Sequence, residues 1–284
     1  SVAELAEVKL SVYRALRAGG QLVLNADDAQ VVAAAPEDAQ RVWYSLDGQQ
    51  QRILAARATE RPCGWLEDGW LMLSQGGVTT RLIAAQDVPL TLGGAARYNI
   101  ENALAAGLAA RALGLPDAAI RATLAAFRSD AADNPGRANE FSVNGARVFV
   151  DFAHNPHSIA AITSALAALP AAKRYVLLSH AGDRSDDDIR GLVTGAFALR
   201  PDLVVVAENP KYLRGRALGE VPALMRRRCR DLGMDPAQLL RAERPAEAAE
   251  MILRHVGPGD LALLLVHDDR EQIFAMLHAQ GRAV

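Results

Sequence analysis

Lysine is scarce in this sequence: of 31 basic residues only three are lysines, Lys9, Lys173 and Lys211. None of the three directly follows a glycine. A P-loop needs a lysine between a glycine and a Ser or Thr, because that ammonium reaches the terminal phosphates of a nucleotide. These 284 residues therefore contain no P-loop and supply no phosphate cradle of that kind.

Cysteine and long apolar runs are also rare. Cys63 and Cys229 lie far apart with no CxxC spacing, which argues against a disulfide framework or a zinc knuckle and predicts a reducing, cytoplasmic setting. The apolar run 261–266 is far shorter than the roughly 20 residues of a membrane-spanning helix, and no signal-peptide pattern opens the chain. A formal net charge of −2 does not favour nucleic-acid binding. We therefore expect neither a membrane nor a nucleic acid as partner.

The composition is that of a globular protein, with 50% hydrophobic and 23% charged residues. A length of 284 residues suggests about two domains. Residues 129–136 combine turn formers with no apolar periodicity, so we predict a linker there between a first domain at 1–128 and a second at 137–284.

The first domain is predicted to be α/β with a β-rich middle. Ser1 and Glu4 have the form of a capping box, which predicts an opening helix, and residues 21–25 read as a buried strand. Turn pairs at Asp47-Gly48, Asp68-Gly69 and Gly76-Gly77 divide residues 42–84 into short runs, for which we predict an antiparallel meander. Two helices should follow at 95–113 and 116–127, and the three tryptophans should be packing residues.

The second domain is predicted to be a doubly wound, Rossmann-like α/β domain. A hairpin at Asn144-Gly145 joins its first two strands, and apolar runs at 175–179, 203–207 and 261–266 alternate with helical segments. Such alternation implies right-handed crossovers and a mainly parallel sheet covered on both faces. Ligands bind at the carboxyl ends of the strands in sheets of this kind.

Polar residues collect directly after these predicted strands. The four loops contain 151–157, 179–188, 208–216 and 267–270, and the strands before them are almost wholly apolar. Because parallel strands end at one edge of the sheet, we expect the four loops to form a site for a polar, charged ligand.

Several of these residues have simpler explanations. The acidic run 186–188 is as consistent with capping a helix as with function, and the arginines of 226–230 favour a solvated helix face. His154 and His157 lie at a spacing of three, but Pro156 separates them and no third ligand is evident, so no metal site is predicted. No GxGxxG follows a strand and no GxSxG occurs, which argues against a dinucleotide-binding enzyme and a serine hydrolase.

Four ordered motifs resemble the Mur ligase family. They are Asn99-Ile-Glu-Asn102, Pro135-Gly136-Arg137, Asp151-Phe-Ala-His154-Asn155-Pro156 and Gly182-Asp183-Arg184. Within the family, the segments Leu24-Asn-Ala-Asp-Asp28 and Leu213-Arg-Gly-Arg216 are most similar to a branch that adds arginine to aspartate side chains of a polymer. The resemblance covers almost the whole chain. It implies a complete C-terminal Mur ligase domain preceded by an incomplete central, ATP-binding domain.

The resemblance implies an ATP- and Mg²⁺-dependent chemistry. Members of the family phosphorylate a carboxylate and let an amine attack the acyl phosphate, forming an amide or isopeptide bond and ADP. It places Asn99 near the adenine with Asn102 supporting it, Arg137 and Asp151 at the ribose, and His154 and Asn155 near the phosphates. Contacts with the amino-acid or peptide substrate are implied for Asp183, Arg184, Lys211, Arg214, Arg216, His267 and Asp268. No catalytic residue is assigned.

One departure from the family limits the functional prediction. The P-loop, the magnesium-binding acid and the modified lysine of the family have no counterpart in this sequence. The chain is therefore expected to be part of a larger ligase and inactive alone. The alternatives are a half-enzyme that works with a P-loop partner or as a homo-oligomer, and a non-enzymatic module that binds a nucleotide, amino acid or peptide.

Overall fold

The structure is a computed structural model that describes residues 1–131 and 134–283. The chain divides into two compact units, residues 1–127 and residues 128–284. Two residues of the predicted linker, 132 and 133, lie outside the described residues. No helix among the described residues is both long and apolar enough to cross a membrane.

The first unit contains one five-stranded mixed sheet. Its elements are α1 (Val2–Leu10), β1 (Gln21–Asn25), α2 (Ala29–Ala34), β2 (Gln40–Ser45), α3 (Gln51–Ala58), β3 (Cys63–Glu67), β4 (Trp70–Gln75), β5 (Val78–Ala84), α4 (Arg97–Ala112) and α5 (Asp117–Ala126). The strand order is β1-β2-β3-β4-β5, with the first three strands parallel and the last three antiparallel. Helix α4 packs on strands β1 to β4.

The predicted meander is wrong in its first part and correct in its second. Asp47-Gly48 does not close a hairpin: it leads into helix α3, whose first turn is capped by the Gln50 side chain. Strands β2 and β3 are parallel, so the chain needs a crossover between them, and α3 provides it. Asp68 and Gly69 both have positive φ and close the β3–β4 hairpin as predicted.

The start of the chain confirms the predicted capping box, but its apolar face is not buried. Ser1 and Glu4 cap α1 reciprocally. Val2, Leu5 and Val8 recur at helical spacing and are 62%, 55% and 68% exposed. Two of the three tryptophans pack in the core as predicted, since Trp65 is fully buried and Trp43 is 9% exposed, and Trp70 is half-buried.

The second unit is a doubly wound α/β sheet, as predicted. Its elements are β6 (Asn139–Val143), β7 (Ala146–Asp151), α6 (Pro156–Ala167), β8 (Arg174–Leu178), α7 (Asp186–Ala196), β9 (Leu203–Ala207), α8 (Glu220–Asp231), β10 (Leu239–Ala242), α9 (Pro245–Leu253), β11 (Leu261–Leu265), α10 (Arg270–Gln280) and β12 (Gly281–Ala283). The strand order is β10-β9-β8-β11-β7-β6-β12, and the five strands from β10 to β7 are parallel.

The buried core of the second unit explains why its polar side chains lie at the ends of the strands. Strands β8, β9 and β11 are almost completely buried, and α9 and α10 share a core cluster with alternate residues of the sheet. Helices α6, α7 and α8 pack side by side. Strands that are buried on both faces consist almost wholly of apolar residues, so polar side chains collect where the strands end.

Candidate functional site

The carboxyl edge of the second sheet brings together the loops that were predicted to meet. A cavity of about 260 Å³ opens there, with walls from the loops after β7, β8, β9 and β11. Four predicted residues line it: His154, Asp183, Arg184 and His267. A second, more open cavity of about 680 Å³ on the same edge is lined by Lys211 and Asp268 among others. The structure thus brings these residues together at one edge of the sheet, and their contacts with a ligand stay predictions.

Asn209 is the most unusual residue of the smaller cavity. It follows β9, is 1% exposed, and neither its Nδ2 nor its Oδ1 has a hydrogen-bond partner among the described residues. Its backbone is fixed, because its N–H donates to Glu208 Oε1 at 3.0 Å. Buried amides are nearly always satisfied, so an orphaned one in a cavity wall indicates a missing ligand or water. The sequence placed Asn209 in a site loop without assigning it a role.

Asp183 and Arg184 are the free charges at this cavity. Both are exposed, and neither side chain forms a hydrogen bond or ion pair with the described residues. Their loop is held by Gly182, whose N–H donates to Tyr212 O at 2.8 Å. A Cβ on Gly182 would lie 2.0 Å from Leu213 O, so only glycine allows the two loops to approach this closely.

Arg216 and Arg214 have different surroundings. The guanidinium of Arg216 donates to Gly182 O and to Arg184 O and pairs with Asp186 and Glu220. These carboxylates hold the pKa of Arg216 above its usual range. Arg216 therefore organises the loop that carries Asp183 and Arg184. Arg214 is exposed, with its guanidinium 5.5 Å from the centre of the Tyr212 ring. Their predicted contacts with substrate stay predictions.

His267 joins three neighbouring strands at the cavity wall. Strand β11 lies between β8 and β7, and His267 follows β11 with Nδ1 2.9 Å from Ser179 O and Nε2 2.9 Å from Ala153 O. Burial lowers the pKa of His267 to about 4, with smaller contributions from His180 and His154. A neutral imidazole donates from only one nitrogen, so it binds one carbonyl, and only the protonated ring binds both. Both nitrogens face the backbone rather than the cavity.

Two ion pairs lie in the wall of the larger cavity. Lys211 Nζ lies 2.9 Å from Asp268 Oδ1, and Arg244 binds both oxygens of Asp269 at 2.7 and 2.9 Å. The hydrogen bond to Arg244 lowers the pKa of Asp269, and the hydrogen bond to Asp268 raises the pKa of Lys211. A cationic substrate group would therefore have to compete with Lys211 for Asp268.

In the loop after β7, the side chains of the motif residues form hydrogen bonds with backbone groups. Both oxygens of Asp151 accept a backbone N–H, from Ala138 at 2.8 Å and from Ala153 at 2.7 Å. Burial raises the pKa of Asp151 above its usual value. Asn155 caps α6 by accepting the N–H of Ser158 at 2.9 Å. His154 is half-buried and its Nδ1 lies 3.0 Å from the carbonyl of Phe152.

In the first unit, the two motif asparagines form a pair. Asn99 is 8% exposed; its Nδ2 donates to Leu90 O at 2.6 Å and its Oδ1 accepts from Asn102 Nδ2 at 3.1 Å. These bonds tie α4 to the 3₁₀ turn Pro89–Thr91. The adenine contact of Asn99 and the support of its loop by Asn102 stay predictions.

No three His, Cys, Asp or Glu side chains among the described residues are grouped so that they could hold a metal ion. Arg137 is exposed and forms no hydrogen bond or ion pair through its side chain with the described residues. Its guanidinium fits the hydroxyl and anionic oxygens of a nucleotide.

Comparison with known protein families gives a match in the second unit. Residues 136–265 match the family model for "Mur ligase, glutamate ligase domain". These residues include Arg137 and the loops after β7, β8 and β9.

Known sequences and structures agree with that match. The chain is 32% identical over 226 residues to cyanophycin synthetase of Trichormus variabilis, covering 79% of this chain and 25% of that protein. It is 30% identical over 249 residues to UDP-N-acetylmuramyl-tripeptide synthetase of Deinococcus radiodurans, covering 85% of this chain and 46% of that protein. The structure of Mycobacterium tuberculosis folylpolyglutamate synthase complexed with ADP shares the fold, with a TM-score of 0.59, 19% identity and coverage of 99% of this chain and 60% of that one. The chain thus spans about a quarter of the length of the cyanophycin synthetases that it matches.

Proposed function

Because residues 136–265 of this chain are a glutamate ligase domain of the Mur ligase family, we propose that the chain is part of an ATP-dependent ligase that joins an amino acid to a carboxylate. In that reaction the carboxylate accepts the terminal phosphoryl group of ATP with release of ADP, and the amine then displaces phosphate to form an amide or isopeptide bond. The similarity to cyanophycin synthetase favours arginine as the amino acid.

The chain's own contribution is proposed to be binding of the amino acid. The observation that supports this most directly is the buried, unpartnered amide of Asn209 in the wall of the smaller cavity. An amide donates through Nδ2 and accepts through Oδ1, so it suits either end of a zwitterion. Asp183 and Arg184 add one free charge of each sign at the same cavity. An α-ammonium and an α-carboxylate are the ligand groups that these three side chains complement.

Binding and phosphoryl transfer are proposed to be divided between different parts of the working enzyme. No lysine of this chain directly follows a glycine, and no three His, Cys, Asp or Glu side chains among the described residues are grouped as metal ligands. We therefore expect these 284 residues alone to catalyse no ligation. Arg137 would contribute to the nucleotide side by holding ribose hydroxyls or phosphate oxygens.

Isothermal titration with single amino acids tests the binding role. L-Arginine, L-lysine, L-glutamate and L-alanine are titrated into the wild-type chain and into an Asn209→Leu variant. We expect millimolar or tighter affinity for at least one of them. The variant should bind about 10- to 100-fold more weakly, since a hydrogen bond to a charged group contributes about 1.5–3 kcal/mol.

Gln238→Ala provides a matched control, because it removes an exposed amide just before β10, at the opposite edge of the same sheet. Its affinity should equal that of the wild type. Equal binding by Asn209→Leu would show that the amide is not the contact, and no binding of any amino acid would contradict the proposed role. ATP turnover with aspartyl peptide and arginine by the chain alone would contradict the expected division of labour.

A further inference from the structure

Arg137 lies between two residues with left-handed backbone. Gly136 has φ 78° and Ala138 has φ 50°. Glycine adopts this conformation freely, but for alanine its Cβ makes it unfavourable. Ala138 is 1% exposed, so the loop cannot relieve this strain by moving into solvent. Backbone strain of this kind persists only where surrounding contacts impose it, and such places are often functional.

Asn139 makes three hydrogen bonds in this region. We call residues 134–138 the arginine loop. Asn139 is fully buried at the start of β6; its Oδ1 accepts the N–H of Gly136 at 2.5 Å, and its Nδ2 donates to Ser129 O and Asn134 O, each at 2.9 Å. All three partners are backbone atoms of the arginine loop or of the segment just before it. The amide is therefore fully used in shaping that loop.

The groups on either side of Arg137 are also anchored to the end of β7. Asp151 Oδ2 accepts the N–H of Ala138 at 2.8 Å, and Phe152 N–H donates to Gly136 O at 3.0 Å. The Ser129 hydroxyl binds the carbonyl of Arg137 itself. The backbone around Arg137 is thus fixed on every side.

The side chain of Arg137 contrasts with its backbone. It is exposed and forms no hydrogen bond or ion pair with the described residues. A buried asparagine could be replaced by an apolar residue at little cost if only a strand had to be stabilised, because burying an amide gains little net energy. Here the amide fixes a strained loop that carries an exposed guanidinium, whose charge interacts with Asp151 without a direct ion pair.

We propose that Asn139 is a positioning residue that holds the arginine loop so that Arg137 meets the hydroxyl or anionic oxygens of its ligand. The inference rests on the proposed function in one respect, since the nucleotide is that ligand. Pre-ordering a charged side chain lowers the entropy lost on binding, so affinity should depend on Asn139 although Asn139 touches no ligand.

Amide hydrogen exchange tests the loop without any ligand. In the wild type the N–H groups of Gly136 and Ala138 should be protected. Asn139→Ala should raise the exchange rate of both at least tenfold, and Asn139→Ser, which keeps one hydroxyl, should restore part of the protection. Ser142→Ala removes an exposed hydroxyl of the same strand and should change neither rate. Unchanged exchange in Asn139→Ala would overturn the proposal.

Binding of ADP in a double-mutant cycle tests the connection to Arg137. Arg137→Ala and Asn139→Ala should each weaken ADP binding about tenfold, and the double variant should be no weaker than Arg137→Ala alone. A purely structural role would instead give additive losses. If Arg137→Ala binds ADP like the wild type, or if the wild type does not bind ADP, the nucleotide role in the proposed function fails. If only Asn139→Ala is without effect, the positioning role fails.

A second variant keeps the test valid if Asn139→Ala does not fold. Ala138→Gly preserves every hydrogen bond of the loop and removes the backbone strain, so the protein should fold. The freed loop should hold Arg137 less firmly, and ADP affinity should fall two- to fivefold. An unchanged affinity would show that loop rigidity does not matter for binding.

Discussion

The two units of this chain use similar polar residues in different ways. In the first unit, the motif amides of Asn99 and Asn102 bind each other and a backbone carbonyl, so they are satisfied without a ligand. In the second unit, Asn209 is buried without a partner, and Asp183 has no ion pair with the described residues. Polar groups left unsatisfied where strands end indicate binding, while satisfied ones indicate stabilisation. This contrast supports our proposal that the second unit binds the amino acid.

The largest expected effect comes from replacing a glycine of the second unit, and a glycine of the first unit provides the matched comparison. Gly182→Ala in the second unit places a Cβ 2.0 Å from the carbonyl oxygen of Leu213, which is backbone and cannot move aside. We expect the free energy of unfolding to fall by at least about 3 kcal/mol, or the loop of Asp183 to leave the cavity with loss of amino-acid binding. Urea unfolding and titration with arginine measure the two outcomes.

Gly64→Ala is the corresponding change in the first unit. Its Cβ would meet the side-chain methyl carbons Leu73 Cδ2 at 2.9 Å and Leu108 Cδ1 at 3.2 Å, which can shift. We expect a smaller loss of about 1–2 kcal/mol and no change in amino-acid binding. An equal loss in both variants would show that the contact between the loops of Gly182 and Leu213 is not rigid.

The second expected effect is a difference between the two units in how strongly acid lowers their stability. All six histidines lie in the second unit. Burial lowers the pKa of His267 from 6.5 to about 4, so between these values the unfolded chain binds a proton that the folded chain does not. Stability is therefore lost as the pH falls from about 6.5 to about 4, by about 3 kcal/mol in total for this one group.

His267→Asn isolates that contribution, because asparagine does not titrate. Urea unfolding at pH 7 and pH 4.5 should show a smaller pH dependence in the variant than in the wild type. Fluorescence reports on the first unit, since Trp43, Trp65 and Trp70 all lie there, and circular dichroism reports on both. An identical pH dependence in the two proteins would mean that His267 is protonated in the native state near pH 6.5, bound to both carbonyls.

The sequence predicted those parts of the fold that depend on local pattern. Strands β1 and β9 have the predicted bounds, because each is a short buried run between clear turn formers. Helix α3 was not predicted, because a pair such as Asp47-Gly48 occurs in a loop that leads into a helix as readily as in the turn of a hairpin. Strand β10 was missed because it has only four residues, one of them Arg241.

The meeting of the four loops was predictable from the sequence, but their side-chain contacts were not. Because parallel strands end at one edge of a sheet, the loops after β7, β8, β9 and β11 were expected to lie together, and they line one cavity. The pairing of Lys211 with Asp268 joins residues 57 positions apart, and no local pattern shows it. The orphaned amide of Asn209 is still less visible, because it depends on the absence of a partner in three dimensions.

The smallest expected effect is that of Asn209→Leu on stability, and it gives the sharpest test of the comparison, since the same substitution should act differently in the two units. Asn99→Leu leaves Leu90 O and Asn102 without their partner and should lower the free energy of unfolding by about 2 kcal/mol. Asn209→Leu removes an amide that has no partner, so stability should change by less than about 0.5 kcal/mol or rise slightly.

Urea unfolding of the two variants beside the wild type decides between these expectations. A loss of stability in Asn209→Leu as large as that in Asn99→Leu would mean that Asn209 is satisfied in solution, for example by a bound water, and that it stabilises the fold as Asn99 does. If Asn209→Leu instead keeps its stability and loses amino-acid binding, the two roles of a buried asparagine, in folding and in ligand binding, are separated. In that case the first unit uses its amides for folding, and the second unit keeps one for its ligand.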